Sequence, residues 1–395
     1  MPTRILVTDA DTPKALAIVR AIGGDYEVWT AAECGLTLAG CSRYARAHLR
    51  RRFSAPAEFP AWVLDQCKRL GIRIVVPPEE SSSYLLALNE DAFTRHGIRL
   101  ACLPLHALET AMDKAATIRA AEQIEVAAPP TRILEHRDDA VSAARELGHP
   151  VVIKPRFSRY WNGWRFVSGD GVVYANSDAQ VREAVAALDP SAPPPIIQAF
   201  IPGSGVGVCM LLDDDGTPVA EFAHQRLRDY RPTGSGSVLR KSVALDPEMR
   251  ETSLRLLRHI GARGVAMVEF RTDSRTGGFY LMEINGRFWG SLQLAIDSGV
   301  NFPALFVRQL LGEPVEKPNY RSGVHVRWWV GDLVRTLRVL KGRPRGYTGE
   351  FPSRWRAIAE FVGPQPPGTK NEILRWNDCW PAFVEPISIL RRMFG

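Results

Sequence analysis

Two stretches, residues 264–271 and 279–285, constrain this chain more than any other part of it. Both are rich in Val, Phe, Ile and Tyr, and Thr-Asp-Ser-Arg-Thr-Gly-Gly stands between them. Aromatic and β-branched residues fit a pleated surface, and the Asp, Ser and Gly run supplies turn chemistry, so the spacing predicts an antiparallel hairpin. Side chains alternate along a strand with a period of two. With Arg271 opposite Phe279, Glu269 faces Leu281 and lies diagonal to Glu283. Glu269, Glu283 and Asn285 then share one face, while Val268, Phe270, Met282 and Ile284 fill the other. A slip of one residue would undo that sorting, so the register is an assumption.

Two carboxylates and an amide oxygen on one face suit a hard cation. Mg²⁺ takes oxygen ligands at about 2.1 Å and usually shares its shell with substrate phosphates. Glutamates side by side repel unless a cation lies between them. Gly286-Arg287 follows directly and brings a guanidinium to the same end of the hairpin. The alternative is a solvated polar face with arginine partners.

Further motifs occur upstream in a telling order. They are Met112-Asp113-Lys114, then Val151-Val-Ile-Lys154-Pro155, then Gln198-Ala199-Phe200-Ile201-Pro-Gly203, and last Glu269 with Glu283-Ile-Asn285-Gly-Arg287. This ordered set resembles the ATP-grasp superfamily over roughly residues 107–306. Its flavour is closest to carbamoyl-phosphate-synthase-like and peptide-forming members. The resemblance implies a two-lobed grasp closing on Mg-ATP. Lys114 and Lys154 meet the phosphates, and Gln198, Ala199, Phe200 and Ile201 form the adenine hinge. Glu269, Glu283 and Asn285 hold one or two Mg²⁺, with Mn²⁺ as another occupant. Arg287 and Arg226 are the implied catalytic cations. The family's mobile phosphate loop falls at residues 156–172, where Ser158 and Gly163 are candidate contacts. Here that loop also carries Arg156, Arg159, Arg165 and several aromatics, and a plain surface hairpin is the other reading. The implied chemistry is ligation of a carboxylate to an amine through an acyl phosphate, releasing ADP.

Two departures stand out. Gln198 occupies a hinge position where the family often has glutamate. The position of the usual ribose-binding glutamate falls near Gly205, so Arg226 or a backbone carbonyl has to substitute. Arg226, Arg228 and Arg231 run into Pro232-Thr-Gly-Ser-Gly-Ser237, a stretch suited either to cradling an anion or to forming a surface loop. Asp213-Asp-Asp-Gly216 reads as a hairpin turn rather than a metal site.

Residues 1–105 alternate strand (5–8, 26–30, 72–76, 100–103) and helix (13–22, 60–70, 81–96), the pattern of an open parallel α/β domain. Its first loop, Asp9-Ala-Asp-Thr-Pro, lacks the glycines of a dinucleotide fingerprint, which argues against NAD. Contacts with an acceptor substrate are expected at the strand ends, residues 9–12 and 77–82. Glu79 and Glu80 also suit a helix start. The grasp lobes are expected over 106–195, with a helix over 106–121 containing Lys114, and over 196–315. The proline run 193–195 is read as the passage between them. Residues 316–395 form a basic extension.

The 395-residue chain carries a net charge of +7, and residues 321–395 hold 13 Lys and Arg against 6 Asp and Glu. Five of the ten Trp lie in that tail. Residues 328–341 read either as a basic amphipathic helix for an anionic membrane or carrier-linked acceptor, or as a packed helix with an arginine-rich outer face. Six scattered Cys with no C-x-x-C point away from zinc and disulfides. No signal-peptide pattern and no spanning apolar run is seen. The expected setting is cytoplasmic, with a peripheral place at the inner membrane face in the amphipathic reading. Expected partners are a small carboxylate and an amine, no nucleic acid, and a second copy as a homodimer. A non-catalytic nucleotide-binding protein and another carboxyl- or phosphoryl-activating enzyme are the rival functions.

Overall fold

The computed structural model describes residues 2–51, 55–169, 171–234 and 236–394, with side chains to residue 389. Asp170 and Ser235, each within a glycine-bearing loop discussed above, lie outside these residues.

Short apolar runs separated by helices build the first layer. It comprises β1 (Arg4–Val7), α1 (Pro13–Ile22), β2 (Glu27–Ala32), β3 (Ala47–Arg50), α2 (Phe59–Leu70), β4 (Ile74–Val76), α3 (Glu80–Ala87), α4 (Glu90–Thr94) and β5 (Arg99–Leu100). The strands are parallel, in the order β3-β2-β1-β4-β5. Ile5, Leu6 and Val7 are buried completely, as expected for a strand covered on both faces. Thr12 caps α1, its hydroxyl accepting from the Ala15 amide at 3.2 Å with Pro13 in the first turn, the start its sequence predicts. Two details differ from the sequence expectation. Helix 81–96 is broken, and at the break the Asn89 side chain donates to the Leu85 carbonyl at 2.8 Å, a local bond that competes with helix continuation. β3 was not anticipated, because Ala-His-Leu-Arg has no β-branched residue to mark an edge strand.

The expected helix over 106–121 is also two helices, α5 (Leu105–Met112) and α6 (Lys114–Gln123). Asp113 sits between them at φ −91°, ψ 107°, and its carboxylate accepts from the Ala115 amide at 2.9 Å. Lys114 is therefore the first residue of α6 rather than an interior one.

Next come β6 (Thr131–Ile133), α7 (Ala140–Leu147), β7 (Val151–Lys154), β8 (Arg159–Trp161), β9 (Phe166–Ser168), β10 (Val173–Ala175), α8 (Asp178–Ala186) and β11 (Ile196–Ala199). They form an antiparallel sheet in the order β10-β7-β11-β6, with β8 and β9 as a separate hairpin. The strand after the proline run thus still belongs to this smaller sheet, and the chain leaves it at residues 200–202. Pairing of β11 between β7 and β6 overrides the compositional signal of the prolines.

The remaining elements are β12 (Gly203–Leu212), β13 (Pro218–Arg228), β14 (Leu239–Val243), α9 (Pro247–His259), β15 (Gly264–Asp273), β16 (Phe279–Asn285), α10 (Leu292–Ser298) and α11 (Phe302–Leu311). After them come β17 (His325–Arg327), α12 (Trp329–Lys341), α13 (Arg354–Val362), β18 (Lys370–Asn371) and α14 (Trp380–Phe394). The large sheet runs β16-β15-β12-β13-β14-β17-β18. Its Val208, Met210, Val268 and Phe270 face one core with α5, α6 and α9, while Cys209, Leu211, Phe222 and Val265 face another shared with α1, α10 and α11. The first domain therefore packs directly on the large sheet.

α12 turns the expected way round only in part. It packs on the body, but its arginine side faces inward: Arg335 is 6% exposed and pairs with Glu360 at 3.0 Å, and Arg338 lies 4.1 Å over the Tyr230 ring. Trp329, Leu333 and Leu337 are exposed, as is Lys341 at the end of the helix. Asp332, fully buried, reverses the amphipathic reading by drawing in Arg327 at 2.7 Å and Arg228 at 2.5 Å. Among the described residues no helix is long and apolar enough to cross a membrane.

Candidate functional site

The β15–β16 hairpin sets the site. Its register differs from the expected one: Thr272 pairs with Phe279, Arg271 with Tyr280 and Phe270 with Leu281, and after an irregularity Glu269 pairs directly with Glu283. Met282 is the extra residue, a β-bulge of the kind that re-aims side chains beside a site. Leu281 consequently goes into the core and Met282 joins the cavity face, the reverse of the sequence assignment. Glu269 and Glu283 keep a common face, and the Asn285 amide donates to Glu283 Oε1 at 3.2 Å.

Opposite stands the smaller sheet. Lys154, at the end of β7 and 8% exposed, donates from Nζ to Gln198 Oε1 at 2.6 Å. The Gln198 amide in turn donates to the Thr131 hydroxyl at 2.9 Å. A cavity of about 120 Å³ lies between the sheets, and Lys114, Lys154, Gln198, Ala199, Phe200 and Ile201 line it. Arg226, Glu269 and Glu283 close the other side. Lys114 reaches Ser158 at 3.3 Å. Neither Ser158 nor Gly163 lines the cavity, and Gly163 sits in the β8–β9 turn at φ +100°. That hairpin folds onto the first domain instead, with Trp161 and Phe166 packed against its core.

Arg226 lies 2.9 Å from Glu269 and 3.4 Å from Asp229, with its side chain 8% exposed. A Cβ at Gly205 would stand only 2.1 Å from this guanidinium. A side chain at 205 would have to displace this guanidinium, and Arg226 lies beside the position where the resemblance places a ribose-binding glutamate. Arg228 does not join an anion cradle; its pairs with Asp332 and with Glu360 at 3.6 Å are structural.

A second cavity, about 330 Å³, shares Arg226, Glu269 and Glu283 with the first and adds Asn285, Arg287 and His224. Arg287 stands 3.9 Å from Glu80 and donates to the Phe288 carbonyl at 3.1 Å. Sequence reasoning missed Lys14 and His224 here. Lys14, near the N-terminus of α1, pairs with Glu79 at 2.7 Å. Glu79, within the 77–82 stretch expected to contact an acceptor and also suited to a helix start, lines this cavity. His224 bonds the Ser291 hydroxyl at 2.8 Å and lies over Gly207. For Lys14 and His224 the only sequence signal was position at a strand end or a glycine across the sheet.

The electrostatics follow from burial. Burial pulls Lys154 down to about 8, against the attraction of Glu283. Lys14 falls to about 8 by burial and by the nearby Arg287, with Glu79 opposing. Burial raises Glu269, and Glu283 adds to that although Arg226 counters it. Burial also pushes Glu283 upward, but Lys114, Lys154, Asn285 and Arg287 together bring it below the usual carboxylate range. His224 drops to about 3 through burial beside Arg240 and Arg226, so its imidazole is neutral. Burial thus holds Glu269 toward its protonated form, while the lysines and Arg287 keep Glu283 ionised. Two carboxylates and an amide are a partial shell of the kind Mg²⁺ completes with phosphate oxygens and water.

Two sheets clasping a cavity, lysines on one side and acids on the other, define the ATP-grasp architecture. The model for an ATP-grasp domain "in the biosynthetic pathway with Ter operon" matches residues 191–331. The arginine-specific carbamoyl phosphate synthase large chain of Eremothecium gossypii is 23% identical over 210 residues, covering 51% of this chain and 18% of the relative. That of Cutaneotrichosporon cutaneum is 22% identical over 249 residues, covering 60% and 20%. The chain thus spans about a fifth of the length of these curated relatives. Among solved structures, biotin carboxylase from Campylobacter jejuni superposes with a TM-score of 0.65 at 18% identity, covering 82% of this chain and 74% of that one. N5-carboxyaminoimidazole synthetase from Staphylococcus aureus gives 0.63 at 14% identity, covering 80% of each. Residues 191–331 thus match an ATP-grasp family model, and the chain as a whole shares its fold with solved biotin carboxylase and N5-carboxyaminoimidazole synthetase structures.

Proposed function

We propose that this protein is an ADP-forming ligase that joins a carboxylate to an amine through an acyl phosphate. The observation that carries the reading is the direct pairing of Glu269 with Glu283 across a cavity from Lys154. Phosphoryl transfer consists mostly of positioning and of neutralising spread negative charge. Lys154 and Lys114 are suited to the nucleotide phosphates, and the backbone of residues 199–201 to adenine. Glu269, Glu283 and Asn285 would hold Mg²⁺, which when bound neutralises the transferring phosphoryl group. Solved relatives of this fold include complexes with MgADP and with an ATP analogue, which supports the nucleotide assignment. Arg287, facing the larger cavity, is placed to steady the carboxylate before transfer and the oxyanion afterwards. Arg226 orients Glu269 and takes the place of the ribose glutamate.

A cavity of about 120 Å³ is tighter than the roughly 300–1,000 Å³ of ordinary ligand sites. Tyr174 lines it and donates to the Thr233 carbonyl at 2.5 Å. The proposed substrates are small molecules. A membrane-linked acceptor loses its basis because the helix meant to hold it turns its arginines inward.

The test is ADP release with Mg-ATP across a panel of acids and amines, for wild type and Glu283→Ala. Turnover needing one acid and one amine, and absent in the variant, is the expected result. Turnover that needs an acid but no amine would favour a second reading suggested by the biotin carboxylase neighbours, transfer of the activated carboxyl group to another acceptor.

A further inference from the structure

Tyr174 of β10 and Phe200 after β11 wall the cavity between the two sheets. Against both stands Tyr347, which comes from far along the chain, in the stretch that joins α12 to α13. The three rings meet edge to face. Tyr347 lies 4.8 Å from Tyr174 at 74° and 6.3 Å from Phe200 at 88°, and Tyr174 lies 5.8 Å from Phe200 at 80°. Such packing sets the positive edge of one ring on the negative face of the next, so it fixes ring orientation as well as position. Tyr347 is only 7% exposed.

The stretch is built to deliver this ring. Gly346 has φ +74°, a left-handed conformation open to glycine. Its carbonyl accepts from the Asn176 side-chain amide at 2.8 Å. A Cβ there would run into the Tyr174 carbonyl oxygen and stand 3.0 Å from Gln180 Oε1. Gly349 leaves room in the same way, since a Cβ would come 3.0 Å from the Phe200 ring. Phe351 closes the bend 6.4 Å from Tyr347, and the Tyr347 hydroxyl donates to the Glu350 carbonyl at 3.3 Å. Residues 346–351 therefore lie against β10, the edge strand of the smaller sheet, and reach the hinge at Phe200. The flanking helices are tied to the rest of the body. Asp332 of α12 pairs with Arg327 and Arg228, and Glu360 of α13 pairs with Arg335 and Arg228. Protection of a sheet edge would account for a loop over β10. It does not account for a ring seated on both aromatic liners of the cavity.

We infer that Tyr347 is a positioning residue for the nucleotide base, acting through Tyr174 and Phe200, and that residues 346–351 strap the smaller sheet at the hinge. The inference rests on the nucleotide assignment made above. The phosphates fall instead to Lys114 of α6 and Lys154 of β7, so base and tail are held by separate groups. Loss of the Tyr347 ring loosens the wall at the base and leaves the partners of the tail in place.

The experiment is calorimetric titration of the full chain, in Mg²⁺, with the β,γ-imido analogue of ATP and with inorganic tripolyphosphate. Wild type is compared with Tyr347→Leu and Tyr347→Phe; leucine fills much of the space but offers no ring edge. Tyr347→Leu should bind the ATP analogue about tenfold more weakly, because two edge-to-face pairs are lost. It should bind tripolyphosphate within about twofold of wild type, and Tyr347→Phe should match wild type on both ligands. Gly346→Ala, which keeps the Tyr347 ring but obstructs its seat, gives an independent reading and should also lose affinity for the ATP analogue alone. Equal weakening of both ligands in Tyr347→Leu would make the stretch an edge cover only and overturns the inference. So does unaltered binding of the ATP analogue, or a Phe variant as weak as the Leu variant. Wild type that takes the ATP analogue but not tripolyphosphate overturns it too, because base and tail are then not held separately. Wild type that binds neither ligand sinks the nucleotide assignment itself, and this inference with it.

Discussion

Lys154 holds a charge inside the protein that pH can remove. Its folded pKa of about 8 lies below the ordinary lysine value of 10.5. Between those values the unfolded chain binds more protons, so this group makes stability rise with pH across that window. Binding has the opposite sign, because phosphate needs the charged amine. Affinity for a fluorescent ATP analogue should be level below pH 7 and decline as pH passes 8. Lys154→Met should be weaker throughout and lack that decline. Lys14 shares the value of about 8, so a Lys14→Met variant measures how much of the stability slope belongs to each lysine. For Glu283→Ala, loss of one well-placed charge partner should lower turnover about a hundredfold or more, by analogy with oxyanion donors. Glu269, Glu283, Asn285 and Lys154 were legible in the sequence because a strand fixes the face of each residue locally. Lys14 and His224 were not, because they face the site through sheet and domain packing across long stretches of chain.

Elements repeat that division. α1 was readable to its ends, since Thr-Pro at its start is a local signal. The break between α5 and α6 was not, because Asp113 draws its second partner, Arg156, from another strand end at 3.1 Å. Two substitutions separate these roles. Asp113→Asn keeps a capping oxygen and removes the charge, while Asp113→Ala removes both. Loss of the cap should cost about 1 kcal/mol, and loss of the charged bond about 1.5–3 kcal/mol. A urea midpoint should therefore fall further for Asp113→Ala than for Asp113→Asn. Both should weaken nucleotide binding, because Lys114 is held at the start of α6 by this corner. Equal midpoints for the two variants would show that the cap contributes nothing. The hairpin register failed for a related reason. A bulge at Met282 is specified by what lies around the cavity, and period-two counting carries no record of an inserted residue.

At the scale of the molecule, charge and tryptophan content made residues 316–395 look like an appendage, whereas the fold treats them as structure. β17 extends the large sheet from β14. Glu372 on the segment after β18 pairs with buried Arg240. Asp378 accepts from Arg20 at 2.8 Å and from the Ser42 hydroxyl at 2.7 Å, joining the segment to the first domain. The Trp328 indole donates to Glu385 of α14 at 2.5 Å. Burial lifts Glu385 to about 7, partly opposed by that bond. A raised carboxyl binds protons better in the folded state, so its contribution is present at low pH and is lost as pH rises from about 4.5 to 7. Glu385→Gln should flatten that part of the stability profile. The stronger test is Asp378→Ala, which leaves Arg20, whose side chain is 9% exposed, without its carboxylate. Breaking one side of a buried pair typically costs about 3–5 kcal/mol, so the denaturant midpoint should drop sharply. A chain ending at residue 315 loses all of these contacts and the sheet edge together, and should be recovered only as aggregate. If that shortened chain instead stays monomeric with a cooperative melt and binds nucleotide, the segment is an appendage after all. The burial of Arg20, Arg228 and Arg240 would then have to be satisfied by other partners.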